Sequence, residues 1–247
     1  MKGCDTMIAF LTSSPCIYGA PRAILNPENS FIDNLFSCLP EKPRCLFICS
    51  APDDPAFTDR VSREMASAFQ EAGMEFSRLY KLDRRNQDDA QKLIWKSDLI
   101  ILSGRHVPTQ TQFFQEIGMK ELLENYQGVI LGISAGTMNA AERVYAQPEE
   151  AGESVPEFQR FLPGLGITHV NVLPHYQQVK DYLLDGRRLY EDITFADSMG
   201  EQFFVFVDGT YLLVEDDQTT LYGKAYYLHD GNMEQISEPG DIVLIET

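Results

Sequence analysis

The pentapeptide Gly132-Ile-Ser-Ala-Gly136 carries the sharpest chemical signal in the chain. It follows the apolar run Gly128-Val-Ile-Leu131 and precedes Thr137-Met-Asn-Ala-Ala-Glu-Arg, which reads as a helix. A serine on a tight strand-to-helix turn projects its hydroxyl from the sheet edge, and flanking glycines give the strained turn room. The backbone N–H of Ala135 and the helix N-terminus then stand where a developing oxyanion needs stabilising. The plainer reading is a Gly-Ser turn that merely starts a helix. The strand–turn–helix context favours a nucleophile at Ser134.

A serine nucleophile needs a base, and the chain has four histidines. His106 follows a predicted strand in Ser103-Gly-Arg-His-Val-Pro108, and His175 ends one in Leu173-Pro-His-Tyr176. His169 opens that strand, and His229 sits beside a hairpin signal, Leu228-His-Asp-Gly231. Chemistry in open α/β sheets gathers beyond the carboxyl ends of strands, which favours His106 and His175. Pro174 stiffens the exit before His175, and His175 is the expected base. A carboxylate must hold its tautomer. Asp208 closes the predicted strand 203–207 and suits that role, although Asp-Gly is also an ordinary turn dipeptide. Glu149, Glu150 and Glu153 lie in an acidic loop and read as solvated.

These residues resemble the dipeptidase E (aspartyl dipeptidase) and cyanophycinase family, serine peptidases on a fold related to class I glutamine amidotransferases. The resemblance runs from Cys45 to the C-terminal strands. It rests on Gly132-Ile-Ser-Ala-Gly-Thr-Met-Asn-Ala-Ala141, Gly164-Leu-Gly-Ile, Asn171-Val-Leu-Pro-His-Tyr176 and Asp208-Gly-Thr-Tyr-Leu-Leu-Val214. It implies Ser134 as nucleophile, His175 as base and Asp208 as orienting acid, where the family has glutamate. It also implies a role for an acid shortly after the elbow, with Glu149 the nearest match. The family's Gly-Gly-Asn-type turn reads Ser103-Gly-Arg-His106 here, so Gly104 and Ala135 are the expected oxyanion donors. Arg105 and His106 then become candidate substrate-binding residues. The implied substrate is a small peptide with an N-terminal aspartyl or β-aspartyl link. Arg105 is a candidate partner for that carboxylate, and equally a solvated loop residue. No cofactor or metal is implied. Ser134 in place of cysteine, and Gln177 in place of a glutamate two positions after the histidine, disfavour amidotransferase activity.

Two rivals differ in class. One is an α/β-hydrolase esterase using Ser134, Asp197 or Asp216, and His229, against which the hairpin context of His229 argues. The other is a non-catalytic amidotransferase-like module that binds a partner or metabolite, suggested by the altered Gly104-Arg-His turn.

The elements that must position these groups alternate. Strands are predicted at 7–11, 45–50, 76–82, 99–102 and 128–133, and helices at 29–39, 58–72, 87–96, 109–125 and 135–145. Thr58 is the expected N-cap and Gly73 the stop of the second helix. Such alternation implies a mostly parallel sheet with helices on both faces. Residues 147–163 read as a surface loop, 167–173 as a strand and 178–190 as a helix. From Phe203 the chain reads as antiparallel strands, including 211–215, 221–228 and 241–245, with hairpin signals at Asp208-Gly209 and Asp230-Gly231. Residues 1–247 are expected to form one α/β domain.

Composition bounds the partners. The 247 residues carry 20 Lys+Arg against 37 Asp+Glu, a net charge of −17. Such acidity repels phosphate backbones and excludes nucleic acid as a partner class. No run reaches the roughly 18 apolar residues of a membrane span. Five cysteines, all in the first fifth of the chain, suggest reduced thiols and a cytoplasmic protein. Cys45 and Cys49 read as buried strand residues without metal-ligand spacing. A homodimer is left open. An anion-preferring pocket would need a positive patch inside this negative molecule, for which Arg105 and the elbow helix are the candidates.

Overall fold

The computed structural model describes residues 6–216 and 218–245. Cys4 and the rest of segment 1–5 lie outside them. Five parallel strands form the frame: β1 (Ile8–Thr12), β2 (Arg44–Ile48), β3 (Arg78–Leu82), β4 (Leu99–Leu102) and β5 (Val129–Ile133). Most of their residues are apolar and buried because both sheet faces are covered. Phe10, Phe47 and Ile101 pack with residues of the helices Phe31–Ser37 and Pro55–Glu71 on one face. Leu11, Ile48 and Leu102 pack with residues of Ala90–Trp95, Val107–Glu116 and Met119–Leu123 on the other.

The remaining main strands are β6 (Asn171–Leu173), β7 (Gln202–Phe206), β8 (Tyr211–Glu215), β9 (Gln218–Tyr222), β10 (Ala225–His229), β11 (Asn232–Ser237) and β12 (Ile242–Ile245). The large sheet has the order β12-β9-β8-β1-β5-β4-β2-β3, with β8, β9 and β12 antiparallel. A second sheet has the order β11-β10-β7-β6, in which β7 runs parallel to β6 and antiparallel to β10. After β6 the chain therefore crosses between sheets three times, at Asp208-Gly209, at Gly223-Lys224 and between β11 and β12. The mostly parallel sheet with helices on both faces and antiparallel C-terminal strands is as expected.

Several local readings are corrected. The strand expected over 221–228 is two strands in different sheets. They part at Gly223 (φ +102), where a Cβ would come within 2.4 Å of Asn29 Nδ2. Asp208-Gly209 is likewise a crossing, whereas Asp230-Gly231 joins β10 to β11 as a two-residue hairpin with both φ positive. The elbow helix ends at Met138, and Arg143–Tyr145 pairs with Phe161–Pro163 as a small antiparallel ribbon. Tertiary pairing there overrides helical propensity. The helix expected at 178–190 is one turn, Tyr176–Val179, followed by a small hairpin turning at Asp185-Gly186. The 109–125 helix breaks at Gly118, which has φ +62. Asp54, not Thr58, caps the second helix: its side chain accepts from Phe57 N at 3.0 Å, and Pro55 opens the first turn. Among the described residues no helix is long and apolar enough to cross a membrane.

Candidate active site

Ser134 sits at the carboxyl end of β5 with φ +51 and ψ −112, a sparsely populated backbone for a residue with a Cβ. Two backbone contacts hold it there. Its N–H points at the carbonyls of Thr12 and Ser13, each at 3.2 Å, beyond the end of the neighbouring β1. The elbow glycines are required by close approach. A Cβ on Gly136 would fall 2.1 Å from Leu102 O, and one on Gly132 would fall 2.9 Å from Thr137 Oγ1. The helix Ala135–Met138 is a single turn, so it offers oriented N–H groups but little macrodipole.

Gly104 follows β4 and lies directly against the serine. A Cβ there would come within 2.9 Å of Ser134 Cβ and 3.5 Å of its Oγ. The turn is anchored from behind, with Ser50 Oγ donating to Gly104 O at 2.8 Å and Gln110 Nε2 to Ser103 O at 2.8 Å.

His175 follows β6 and Pro174 with φ +60, a left-handed backbone that turns the chain at the strand exit. Its N–H donates to Ser13 Oγ at 2.8 Å, and its Nδ1 lies 2.7 Å from Asp208 Oδ1. The Asp208 side chain is 4% exposed and sits where the chain passes from β7 to β8. Burial by itself would raise its pKa. The hydrogen bond and charge of His175, with donation from Ser13 Oγ at 2.8 Å and Gln178 Nε2 at 2.5 Å, outweigh burial and hold it below the ordinary carboxylate range. With Nδ1 engaged, Nε2 is the imidazole nitrogen left for a substrate-side task.

Ser134 and His175 line one cavity of about 240 Å³, together with Met138, Gln147, Pro148, Glu149, Pro174, Val179, Tyr182 and Leu189. Glu149, expected to be solvated, is thus placed at the cavity although the residue as a whole remains exposed. Desolvation of its carboxyl, then the charges of Glu153 and Glu150, push it up to about 8.

Arg105 and His106 are not brought to this cavity. Arg105 stacks over the Phe57 ring at 4.9 Å, with Nη1 4.0 Å from Asp54 Oδ2. His106 is held between Thr109 Oγ1 at 2.7 Å and Glu153 Oε1 at 2.8 Å. The other oxygen of Glu153 accepts from the N–H groups of Glu149 and Glu150, so this carboxylate ties the Gly104 turn to the loop after the elbow. Ligand atoms of His106, Glu150 and Glu153 lie within 4.8 Å of one another, but His106 and Glu153 already engage each other and the backbone. The esterase arrangement does not assemble. His229 contacts Glu201 O and Asp230, while Asp197 accepts from Tyr145 and Arg160, and Asp216 lies in the turn after β8.

Sequence reading missed Ser13 and Gln178 as supports of the His175–Asp208 pair. Ser13 had a usable signal, a hydroxyl at the carboxyl end of the first predicted strand. Gln178 had none, because only the helical turn Tyr176–Val179 brings it back over His175.

Comparison with known proteins bears on the fold and the family. Two solved structures share the fold. A peptidase from an acI-B1 Actinobacterium superposes with a TM-score of 0.65 at 16% identity, covering 98% of each chain. A protein assigned to peptidase E from Listeria monocytogenes EGD-e superposes with a TM-score of 0.58 at 15% identity, covering 94% of this chain and 99% of that one. Comparison with curated protein sequences gave no match. The model of peptidase family S51 matches residues 19–222. The chain therefore belongs to peptidase family S51, the dipeptidase E family of serine peptidases.

Proposed function

We propose that the protein hydrolyses short peptides through an acyl-enzyme on Ser134. The observation that carries this reading is the strained Ser134 elbow sharing a cavity with a histidine whose Nδ1 is held by a buried aspartate. Ser134 Oγ attacks the scissile carbonyl carbon as its proton passes to His175 Nε2. The N–H groups of Gly104 and Ala135 stabilise the oxyanion. The intermediate collapses, the C–N bond breaks, and the leaving amine takes the proton from His175. Water then repeats the sequence and releases the acid and free Ser134. Asp208 holds the tautomer and stabilises the imidazolium.

The finer reading, an N-terminal aspartyl or β-aspartyl preference, is supported by the family resemblance. Its local candidate, Arg105, stands over Phe57 beside Asp54. A cytoplasmic setting is supported by the thiols of Cys45 and Cys49, which are buried on and just after β2 and not joined in a disulfide.

The test is fluorophosphonate labelling together with hydrolysis of a dipeptide panel that includes Asp-X. Wild type is expected to label and turn over. Ser134→Ala loses both, and Asp208→Asn loses about 10³–10⁴ in kcat because the tautomer is no longer fixed. Equal turnover by wild type and Ser134→Ala would overturn the mechanism, and a wild type that neither labels nor turns over would favour the binding-module reading.

A further inference from the structure

We propose that Gln147 binds the α-ammonium of the residue whose carbonyl Ser134 attacks, so that the cavity reads the free N-terminus of a short peptide. The proposal rests on the reading of Ser134 as nucleophile. Gln147 is 6% exposed and lines the cavity that Ser134 and His175 share. Its Nε2 lies 2.8 Å from Thr194 Oγ1, and that hydroxyl already gives its single proton to Leu189 O at 2.8 Å. Thr194 can therefore only accept from Gln147, which fixes the amide with its nitrogen inward and its oxygen outward. The outward oxygen has no partner. Among the described residues Tyr190 Oη, beside the same amide, is the one enclosed side-chain nitrogen or oxygen without a hydrogen bond. Gln147 Oε1 also accepts from no group among the described residues, so it is not enclosed and opens into the cavity.

A largely buried amide oxygen calls for a donor. The α-nitrogen of a substrate is two bonds from the attacked carbon, so it enters the cavity with that carbon. The surroundings suit a cation. Among the described residues no lysine or arginine lines the cavity. Glu149 adds a carboxyl to the wall, an acceptor when neutral and an attraction for a cation when ionised. The wall also favours a terminal nitrogen over an internal one. A preceding residue would have to run past Gln147 into Thr194 and Tyr190, which are both buried.

The test compares wild type with Gln147→Met, which keeps the length of the side chain and removes the acceptor. Three diphenyl phosphonates are used: 1-aminoethylphosphonate, its N-acetyl derivative, and ethylphosphonate, which lacks the nitrogen. In each, Ser134 Oγ bonds to phosphorus, one phosphorus–phenoxide bond breaks, and the phenoxide takes the proton that His175 received from Ser134. Gln147→Met is expected to slow the free-amine reagent at least about tenfold more than the ethyl reagent, the scale of one hydrogen bond to a charged group. Because each reagent is compared with itself, intrinsic reactivity cancels. Thr194→Val, which leaves the amide free to turn, is expected to shift the same ratio by less, and it carries the test should Gln147→Met fail to fold. Equal slowing of all three reagents would make Gln147 merely structural and overturn the proposal. An N-acetyl reagent slowed as much as the free amine would also overturn it, because Gln147 would then accept from an internal peptide N–H. A generic fluorophosphonate run alongside separates the two levels. If it labels Ser134 while the ratios stay level, amine recognition fails and the nucleophile stands. If it does not label, the nucleophile reading falls and amine recognition falls with it.

Discussion

Glu149 shows how position can make an ordinary surface acid consequential. Its carboxyl, raised to about 8 by desolvation and by Glu153 and Glu150, is neutral in the fold where the unfolded chain would ionise it. Folding stability is therefore lost as pH rises from about 4.5 to 8, and the loss is complete above 8. Glu149→Gln is expected to leave Tm unchanged near pH 4 and raise it above pH 8. The gain is about 2–4 °C for each kcal/mol relieved, kept small by the residue's solvent contact. Thermal melts of both proteins across that range check it, and a gain of equal size at every pH would refute the cause. At this scale the sequence exposed part of the site. Ser134 was legible because its glycines and flanking strand make a local pattern. His175 and Asp208 were legible as residues at strand exits, but their pairing needed the family resemblance. Ser13 lies 195 positions from Asp208, and no local pattern announces a contact of that range.

The strand–helix–strand elements convert these residues into a site, and the elbow depends on how closely its single helical turn packs on the sheet. Gly136 rests on the end of β4, and Gly136→Ala would drive a Cβ into Leu102 O, a backbone atom that cannot rotate away. Overpacking of this kind costs about 1–3 kcal/mol or more. The expected outcome is a Tm lower by several degrees, with labelling of Ser134 slowed in the folded fraction, read by calorimetry and probe kinetics. An unchanged Tm would mean that the turn has slack the packing does not show. The parallel strands were readable because burial on both faces makes continuous apolar runs. Two classes of element were not. Strands 218–222 and 225–229 looked continuous because the switch between sheets is made by one glycine, whose need comes from Asn29, far away in sequence. The short ribbon of 143–145 with 161–163 was hidden for a related reason. Its partner strand lies across a proline-broken loop, and pairing, not propensity, defines it.

At the scale of the whole molecule, the net charge of −17 acts on the substrate before any pocket does. Many arginines are already committed to nearby acids, as in Arg44–Asp98, Arg85–Asp83, Arg143–Glu201 and Arg188–Asp192, so little local positive field remains to offset it. The site region adds Glu150 and Glu153 of the same sign, joined by Glu149 only as pH rises through about 8. Long-range repulsion of an anion is screened by salt, because the Debye length falls from about 30 Å at 0.01 M to about 10 Å at 0.1 M. For dipeptides of equal size, raising salt through that interval is expected to lower KM for a doubly anionic substrate and raise it for a cationic one. KM for a zwitterionic apolar dipeptide is expected to stay fixed, and kcat is expected to be flat in all three. Michaelis kinetics at constant pH resolve these trends. An anionic substrate whose KM rises with salt would require a positive steering patch that the arginine pairings leave no room for, and would return Arg105 to the role of carboxylate partner.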